Sequence, residues 1–316
     1  MILRYIAMRF GSSLLVLFGI SVLTFLLIHL IPGNLVTILM GLSLSGGPQV
    51  RANLERSLHL NDPLPVQYLK WLLQVLHGNL GNSLINGFSV SSQIMVHLPV
   101  TIELASFSLL LALLIGVPLG VTAAVSGARW PDLGVRAISL LGLSTPDFFF
   151  GTLIIIVGSL YAPYLPVFGF VPFSTDPLAN LELMFFPALT LGLALSAIVM
   201  RHTRSAILEV LKEPYVMAAR AKGLARRKVI YKHALRNALI PVVTVTGVQG
   251  AYLIGGTVVI EQVFSLPGVG QLLLNSIYQR DYTMVQGTVL VVTVGVVLVN
   301  LIVDLLYYWL DPRIRA

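Results

Sequence analysis

Six apolar runs, each near the length of a bilayer crossing, restrict this chain to one class of fold. They cover residues 10–31, 104–125, 137–161, 183–200, 238–260 and 284–310. A helix needs about 20 apolar residues to cross the hydrocarbon core. The runs therefore predict an all-α membrane protein with six transmembrane helices. Run 183–200 is short and run 137–161 is interrupted by Pro146, so these two are the less regular spans. The charge content agrees: only 10% of residues are charged and the mean hydropathy is +0.89, against about 25% charged residues in a soluble domain. The first run follows Arg4 and Arg9 and exceeds the roughly 7–15-residue core of a cleaved signal peptide. It is expected to stay as the first span.

Basic residues orient the spans. Arg4, Arg9, Arg129, Arg136, Arg313, Arg315 and ten Lys or Arg between Arg201 and Arg236 fall on one side; Arg51, Arg56, Lys70 and Arg280 fall on the other. The positive-inside rule places the basic side, with both termini, in the cytoplasm of a multi-pass protein of the cytoplasmic (inner) membrane. The +7 net charge then reflects loop placement against lipid and gives no indication of nucleic acid. The chain divides into an N-terminus and first helix (1–31), an extracytoplasmic segment with short amphipathic helices (32–98), and a transmembrane core (99–316) carrying a long cytoplasmic loop, 201–237. In the outer segment, Gly33, Asn34, Gly46, Gly47 and Pro48 mark an irregular start. Residues 64–77 form a short amphipathic helix ended by Gly78, expected on the membrane surface or against the spans.

The long loop is the one strongly basic stretch, and it reads as helix, break, helix. Pro214 suits a first helical position, and residues 215–222 include three alanines. Gly223 stands where a left-handed cap is wanted. A second helix begins at Leu224, with Val229, Ile230 and His233 on one face and Arg226, Arg227 and Arg236 off it. Ala218 and Ala219 are small enough to admit another backbone. A basic helical loop between two spans is a docking surface. As an ordinary loop, its charge would only set topology.

Enzymatic signatures are absent from the sequence. There is no Gly-x-x-x-x-Gly-Lys-[Ser/Thr] for ATP, no His-Glu-x-x-His and no Gly-x-Ser-x-Gly. There is no cysteine, and the six histidines show no metal spacing. No metal and no cofactor bound by this chain are expected. Were this chain to drive transport, the energy would have to come from an ion gradient or a partner.

Charges within the spans are the candidates for a pathway. Asp147 falls near the centre of the third run, beside Pro146, where an acid is costly and faces a cavity or a partner. It reads as a pathway carboxylate for an ammonium or metal ion, or as an acid paired to a neighbouring helix. Glu103 lies at the outer end of the second run, where it complements a helix N-terminus; it is the second pathway candidate. Asp304 is expected to pair with a cytoplasmic arginine, and His29 to be structural. Gly116-Val-Pro-Leu-Gly120 has the spacing of close helix packing or of a kink. Gly255-Gly256 reads as a packing point or a hinge.

These residues resemble a known family. Ala218-Ala219-Arg-Ala-Lys-Gly223, followed by His233-Ala-Leu-Arg-Asn237 and Pro241, resembles the "EAA" loop of ABC importer inner-membrane permeases, in the dipeptide/oligopeptide/nickel group. Phe264-Ser-Leu-Pro-Gly-Val-Gly270, Arg280-Asp-Tyr282, Val285-Gln-Gly287, Asn300-Leu-Ile-Val-Asp304 and Asp311-Pro-Arg313 extend the likeness to the C-terminus. Arg4 with Arg9, His29-Leu-Ile-Pro-Gly33 and Gly78-Asn-Leu-Gly81 extend it to the N-terminus. Met217 stands where the name-giving Glu would be, and the 223-to-241 spacing is longer than in most importers.

The resemblance implies a type I importer permease fold without its own ATP site. It implies a second, homologous permease, two ATP-binding subunits that use ATP and Mg, an extracytoplasmic substrate-binding protein, and surrounding lipid. Pro214, Tyr215, Ala218, Ala219, Arg220, Ala221, Lys222 and Gly223 would form the ATPase-coupling helix, supported by His233, Arg236, Asn237 and Pro241. The substrate would be a di- or oligopeptide; nickel and glutathione are carried by permeases of this shape too. An ion-coupled secondary transporter is the rival class. It predicts an inverted repeat around a midplane site, and the sequence shows no such repeat.

Overall fold

The computed structural model describes residues 2–29, 62–126, 129–161 and 168–310. Among them the chain is helical, with one isolated bridge between Asn82 and Ser89. In order, the helices are α1 (Ile2–His29), α2 (Leu64–Leu76), α3 (Val90–Val125), α4 (Arg129–Ser144), α5 (Asp147–Tyr161), α6 (Pro177–Val210) and α7 (Pro214–Ala221). There follow α8 (Arg226–Gly256), which carries a π-helical turn over Val229–Ala234, then α9 (Val258–Val263), α10 (Val269–Tyr278) and α11 (Tyr282–Leu310). The irregular start at Gly33, the outer prolines Pro163 and Pro166, and Asp311-Pro-Arg313 lie outside the described residues.

Five of these helices, α1, α3, α6, α8 and α11, are long and apolar enough to cross a membrane. The third apolar run differs from a single span. It is cut at Thr145-Pro146 into α4 and the shorter apolar α5, because a residue before proline is driven out of the helical region and proline has no N–H to continue the ladder. Asp147 is therefore the first residue of α5 and not the middle of a continuous helix. The second run also starts earlier than its hydrophobicity suggests: α3 begins at Val90 and passes through the 98/99 division. Glu103 consequently lies over a dozen residues inside α3, far from its N-terminal dipole. It meets the side chain of Asn180 on α6.

The core is the α3–α6 seam. Leu104, Ala112, Met184, Leu191, Val199 and Ile207 are buried there, joined by Ile260, Phe264 and Leu266 from the α9 region. In lipid the hydrophobic effect gives helices no reason to associate, so close packing must do so. Glycine supplies the closeness. A Cβ on Gly116 would sit 2.8 Å from Val199 Cβ, and one on Gly120 would sit 2.7 Å from the Met200 carbonyl oxygen. The close packing expected of this segment is present, with Pro118 inside α3. Gly120→Val is expected to overpack the seam by about 1–3 kcal/mol, measured as a lower unfolding midpoint of the detergent-purified protein.

Gly255 and Gly256 have no atom within 4 Å of a built Cβ. They are not a packing point; the helix stops there and α9 restarts after Thr257. The amphipathic α2 packs on α1. Tyr68 stacks edge-on against Phe25 with centroids 5.4 Å apart, and its hydroxyl shares a 2.8 Å hydrogen bond with Ser21. Gly78 follows in a left-handed conformation, φ 81°. At the other end of α1, Arg9 pairs with Asp304 at 3.2 Å, the expected arginine partner for that acid.

Candidate functional site

The basic loop folds into a short helix held rigidly from behind. α6 continues to Val210, so Arg201 and Arg204 belong to its last turns. After a tight turn, Pro214 opens α7 at its first position. Gly223 closes it with φ 75°. The Gly223 amide donates to the Arg220 carbonyl at 2.9 Å and the Leu224 amide to the Ala219 carbonyl at 3.4 Å. That is the double bond pattern of a Schellman cap, with its apolar contact: Leu224 packs on the cluster of Val216, Ala219 and Val229.

The cap and cluster decide which residues can meet a partner. Val216 and Ala219 face inward; Pro214, Tyr215, Met217, Ala218, Arg220, Ala221, Lys222 and Gly223 are exposed. The two alanines expected to admit a foreign backbone thus separate. Ala218 presents a flat outer face, whereas Ala219 is 8% exposed and touches the loop's own core.

Two polar ties brace the loop, one of them on α7 itself. The Asn237 amide donates to the Tyr215 hydroxyl at 2.6 Å. Pro241, exposed and inside α8, cannot donate to the Asn237 carbonyl four residues before it, which leaves that turn less constrained. The Arg226 guanidinium donates to the Val125 carbonyl, so a cation satisfies the last turn of α3. α8 begins at Arg226 rather than at Leu224. Val229 and Ile230 are buried, His233 is half-buried, and Arg236 is exposed. The π turn between them brings Val229, Ile230 and Ala234 inward together.

Asp147 opens into a cleft of about 470 Å³ between the α4–α5 break, α6 and α8. Leu191, Leu195 and Ile198 form one wall, and Gln249 and Tyr252 the other. Glu103 is not among the residues lining this cleft.

A buried acid without a motif of its own in the sequence holds the α9–α10 end of the bundle together. Glu261 on α9 has no exposed surface. Its Oε1 accepts from the Thr101 hydroxyl (2.7 Å) and the Thr257 hydroxyl (2.9 Å), and its Oε2 from the Gln271 amide (2.9 Å). Thr101 in turn accepts the Val269 amide at 2.8 Å. Glu261 and Thr101 thus satisfy two of the free first-turn amides of α10 from outside that helix. Pro267-Gly-Val-Gly270 wraps this carboxylate so closely that a Cβ on Gly268 would overlap it, and one on Gly270 would lie 2.9 Å from Oε2. The available signal was an acid directly following an apolar run and two glycines flanking one residue. Asp281 does a similar job at the start of α11. It accepts from the Ser83 hydroxyl and from the Leu84 and Met284 amides, each amide at 3.2 Å, so segment 83–84 is tied to the last helix.

Membrane-length helices packed on a glycine seam, with an exposed, C-capped helix on a basic loop, define a multi-span membrane protein with a braced loop helix. The chain belongs to the binding-protein-dependent transport system inner membrane component family: that family matches residues 116–316, and its N-terminal companion matches residues 2–105. It is 39% identical to a putative peptide transport system permease protein of Brucella melitensis, over 100% of this chain and 99% of the relative. It is 40% identical to the di/tripeptide transport system permease protein DppB of Pseudomonas aeruginosa, covering 99% of each. It is 37% identical to the glutathione transport system permease protein GsiC of Salmonella paratyphi A, again covering 99% of each. The fold matches a chain of the MetNI methionine ABC transporter in an inward-facing conformation, with TM-score 0.57 and 18% identity, over 69% of this chain and 96% of that one. This bears out the expected importer permease fold.

Proposed function

We propose that this chain is the permease subunit of an ATP-driven importer that carries di- or oligopeptides across the cytoplasmic membrane. The observation that carries the reading is α7: a short helix opened by Pro214 and closed by the Gly223 cap, packed from behind by Val216, Ala219 and Val229, and open in front. Such a helix can transmit a push without deforming. In this reading α7 seats on an ATPase subunit, and closure of two ATPases around Mg-ATP moves it. Arg226, bonded to the end of α3, and Asn237, bonded to Tyr215, pass that movement to the membrane helices.

Both termini and the basic loop face the cytoplasm, as the charge distribution requires. A second permease completes the pathway, and an extracytoplasmic binding protein delivers the substrate. Peptides are favoured because full-length relatives are named for peptide transport. Glutathione is the second reading, on the strength of the GsiC likeness. The test is to purify the assembly through a tag on this chain and reconstitute it with its binding protein. ATP-dependent uptake should then be measured for trialanine, glutathione and nickel. Two ATPases, a second permease and trialanine uptake are expected. A chain that purifies alone and transports without ATP would overturn the importer reading.

A further inference from the structure

We propose that the cleft at the α4–α5 break holds the ammonium end of a peptide in transit, with the Asp147 carboxylate as its acceptor; this rests on the peptide-importer reading above. The cleft volume of about 470 Å³ lies within the roughly 300–1,000 Å³ range of small-molecule sites. It sits beside the middle of α6, at Leu191 to Ile198 of a helix running from Pro177 to Val210. Its lining mixes apolar side chains with polar residues on opposite sides: Asp147 with Ser144 and Thr145 on one, and Gln249 with Tyr252 on the other.

The Asp147 carboxylate is exposed to the cleft. Among the described residues it makes no ion pair and no side-chain hydrogen bond; the Thr145 hydroxyl is turned away to the Leu141 carbonyl at 2.8 Å. An acid among apolar helices without a cation is costly unless a partner arrives. The helix break explains how it is presented: Pro146 ends α4 and leaves Asp147 at the head of α5, aimed into the gap. A peptide offers an ammonium to Asp147 and amide groups to Gln249 across the cleft, while the leucine and isoleucine wall accepts side chains without selecting among them. A charged head group read by one acid, with apolar walls beyond, suits a substrate class that varies in its side chains and keeps its amino terminus.

The test uses the absence of cysteine in this chain. Ser144→Cys places a single thiol beside Asp147, and alkylation of this chain is followed by mass in the reconstituted, nucleotide-free assembly without binding protein. Trialanine should slow alkylation about tenfold or more relative to N-acetyl-trialanine, the factor expected for a lost charge-assisted hydrogen bond. Adding Asp147→Asn should abolish the difference, and Asp147→Glu should keep part of it. Uptake of trialanine by the wild-type assembly is measured in parallel, with its binding protein, and ATPase stimulation confirms that the variants assemble. Equal protection by the two peptides, or protection that survives Asp147→Asn, in an assembly that does import trialanine, would overturn the site alone. An assembly that imports nickel and no peptide would overturn the peptide reading and the site with it.

Discussion

Gly223→Pro is expected to abolish ATP-coupled uptake while the chain still reaches the membrane and assembles. The position has φ 75°, and proline is fixed near −65°. Proline also removes the amide that bonds the Arg220 carbonyl. Either change undoes the cap, and Leu224 then leaves the Val216, Ala219 and Val229 cluster. The expected cost to the native loop is about 3 kcal/mol or more, enough to leave α7 in its seated orientation only a small fraction of the time. Gly223→Ala separates the causes. It keeps the amide and meets nothing within 4 Å, so it carries only the left-handed backbone cost of roughly 1–2 kcal/mol. Uptake and ATP hydrolysis measured together in proteoliposomes should show an uncoupled proline variant and a partly coupled alanine variant. Uptake at the wild-type rate in the proline variant would remove α7 from the coupling path. A bulky residue at Ala219 is a different experiment, because Ala219 packs within the loop. Ala218→Leu, on the exposed face, is the change that probes a docked partner.

The second large effect is expected at Glu261. Glu261→Ala leaves the Thr101 and Thr257 hydroxyls and the Gln271 amide without their acceptor, at about 1–3 kcal/mol for each buried donor left unsatisfied. It also empties the volume that the Pro267–Gly270 turn encloses. The segment from α9 to α10 should lose its attachment to α3, and the yield of folded protein should fall sharply. Glu261→Gln should do much less harm. Its one carbonyl oxygen can still accept the Gln271 amide, and the two hydroxyls can rotate away from its NH₂ group. Gly268→Ala should resemble Glu261→Ala, since its Cβ would overlap the same carboxylate. Thermal unfolding of the detergent-purified chain orders the three variants. Equal midpoints for Glu261→Ala and Glu261→Gln would show that neither the volume of the side chain nor the hydrogen bond that Gln retains holds the segment.

The parts of the site governed by local chemistry were legible in the sequence. Pro214 and Gly223 mark the ends of α7 because proline tolerates a first helical turn and glycine tolerates positive φ; both act within a few residues of themselves. The periodicity of residues 64–77 gave α2 in the same way. Span edges were less legible. α3 starts at Val90 and α6 runs to Val210, beyond their apolar windows, because polar helical turns outside a bilayer core remain stable when they pack on other helices.

Contacts between distant segments were not legible. Nothing near Glu261 announces Thr101, which is 160 residues away, and nothing near Ser83 announces Asp281. The sorting of Ala218 from Ala219 is of the same kind, since it depends on where Val229 returns after the turn.

The sequence by itself determined that this chain lives in a membrane, which loop is basic, where α7 begins and ends, and which family it joins. Hydrophobic run length, charge placement and backbone chemistry act locally and survive without a fold. Only the tertiary structure decided that the Pro146 break frames a cleft with an open acid, that Gly116 and Gly120 serve a seam, and that Glu261 is the buried tie between α9, α10 and α3. The proline break is local, but the cleft beside it exists only where α6 and α8 stand across from it; the seam and the Glu261 tie depend on atoms brought within about 3 Å of each other from remote parts of the chain, and hydrogen bonds and close packing act only over such distances.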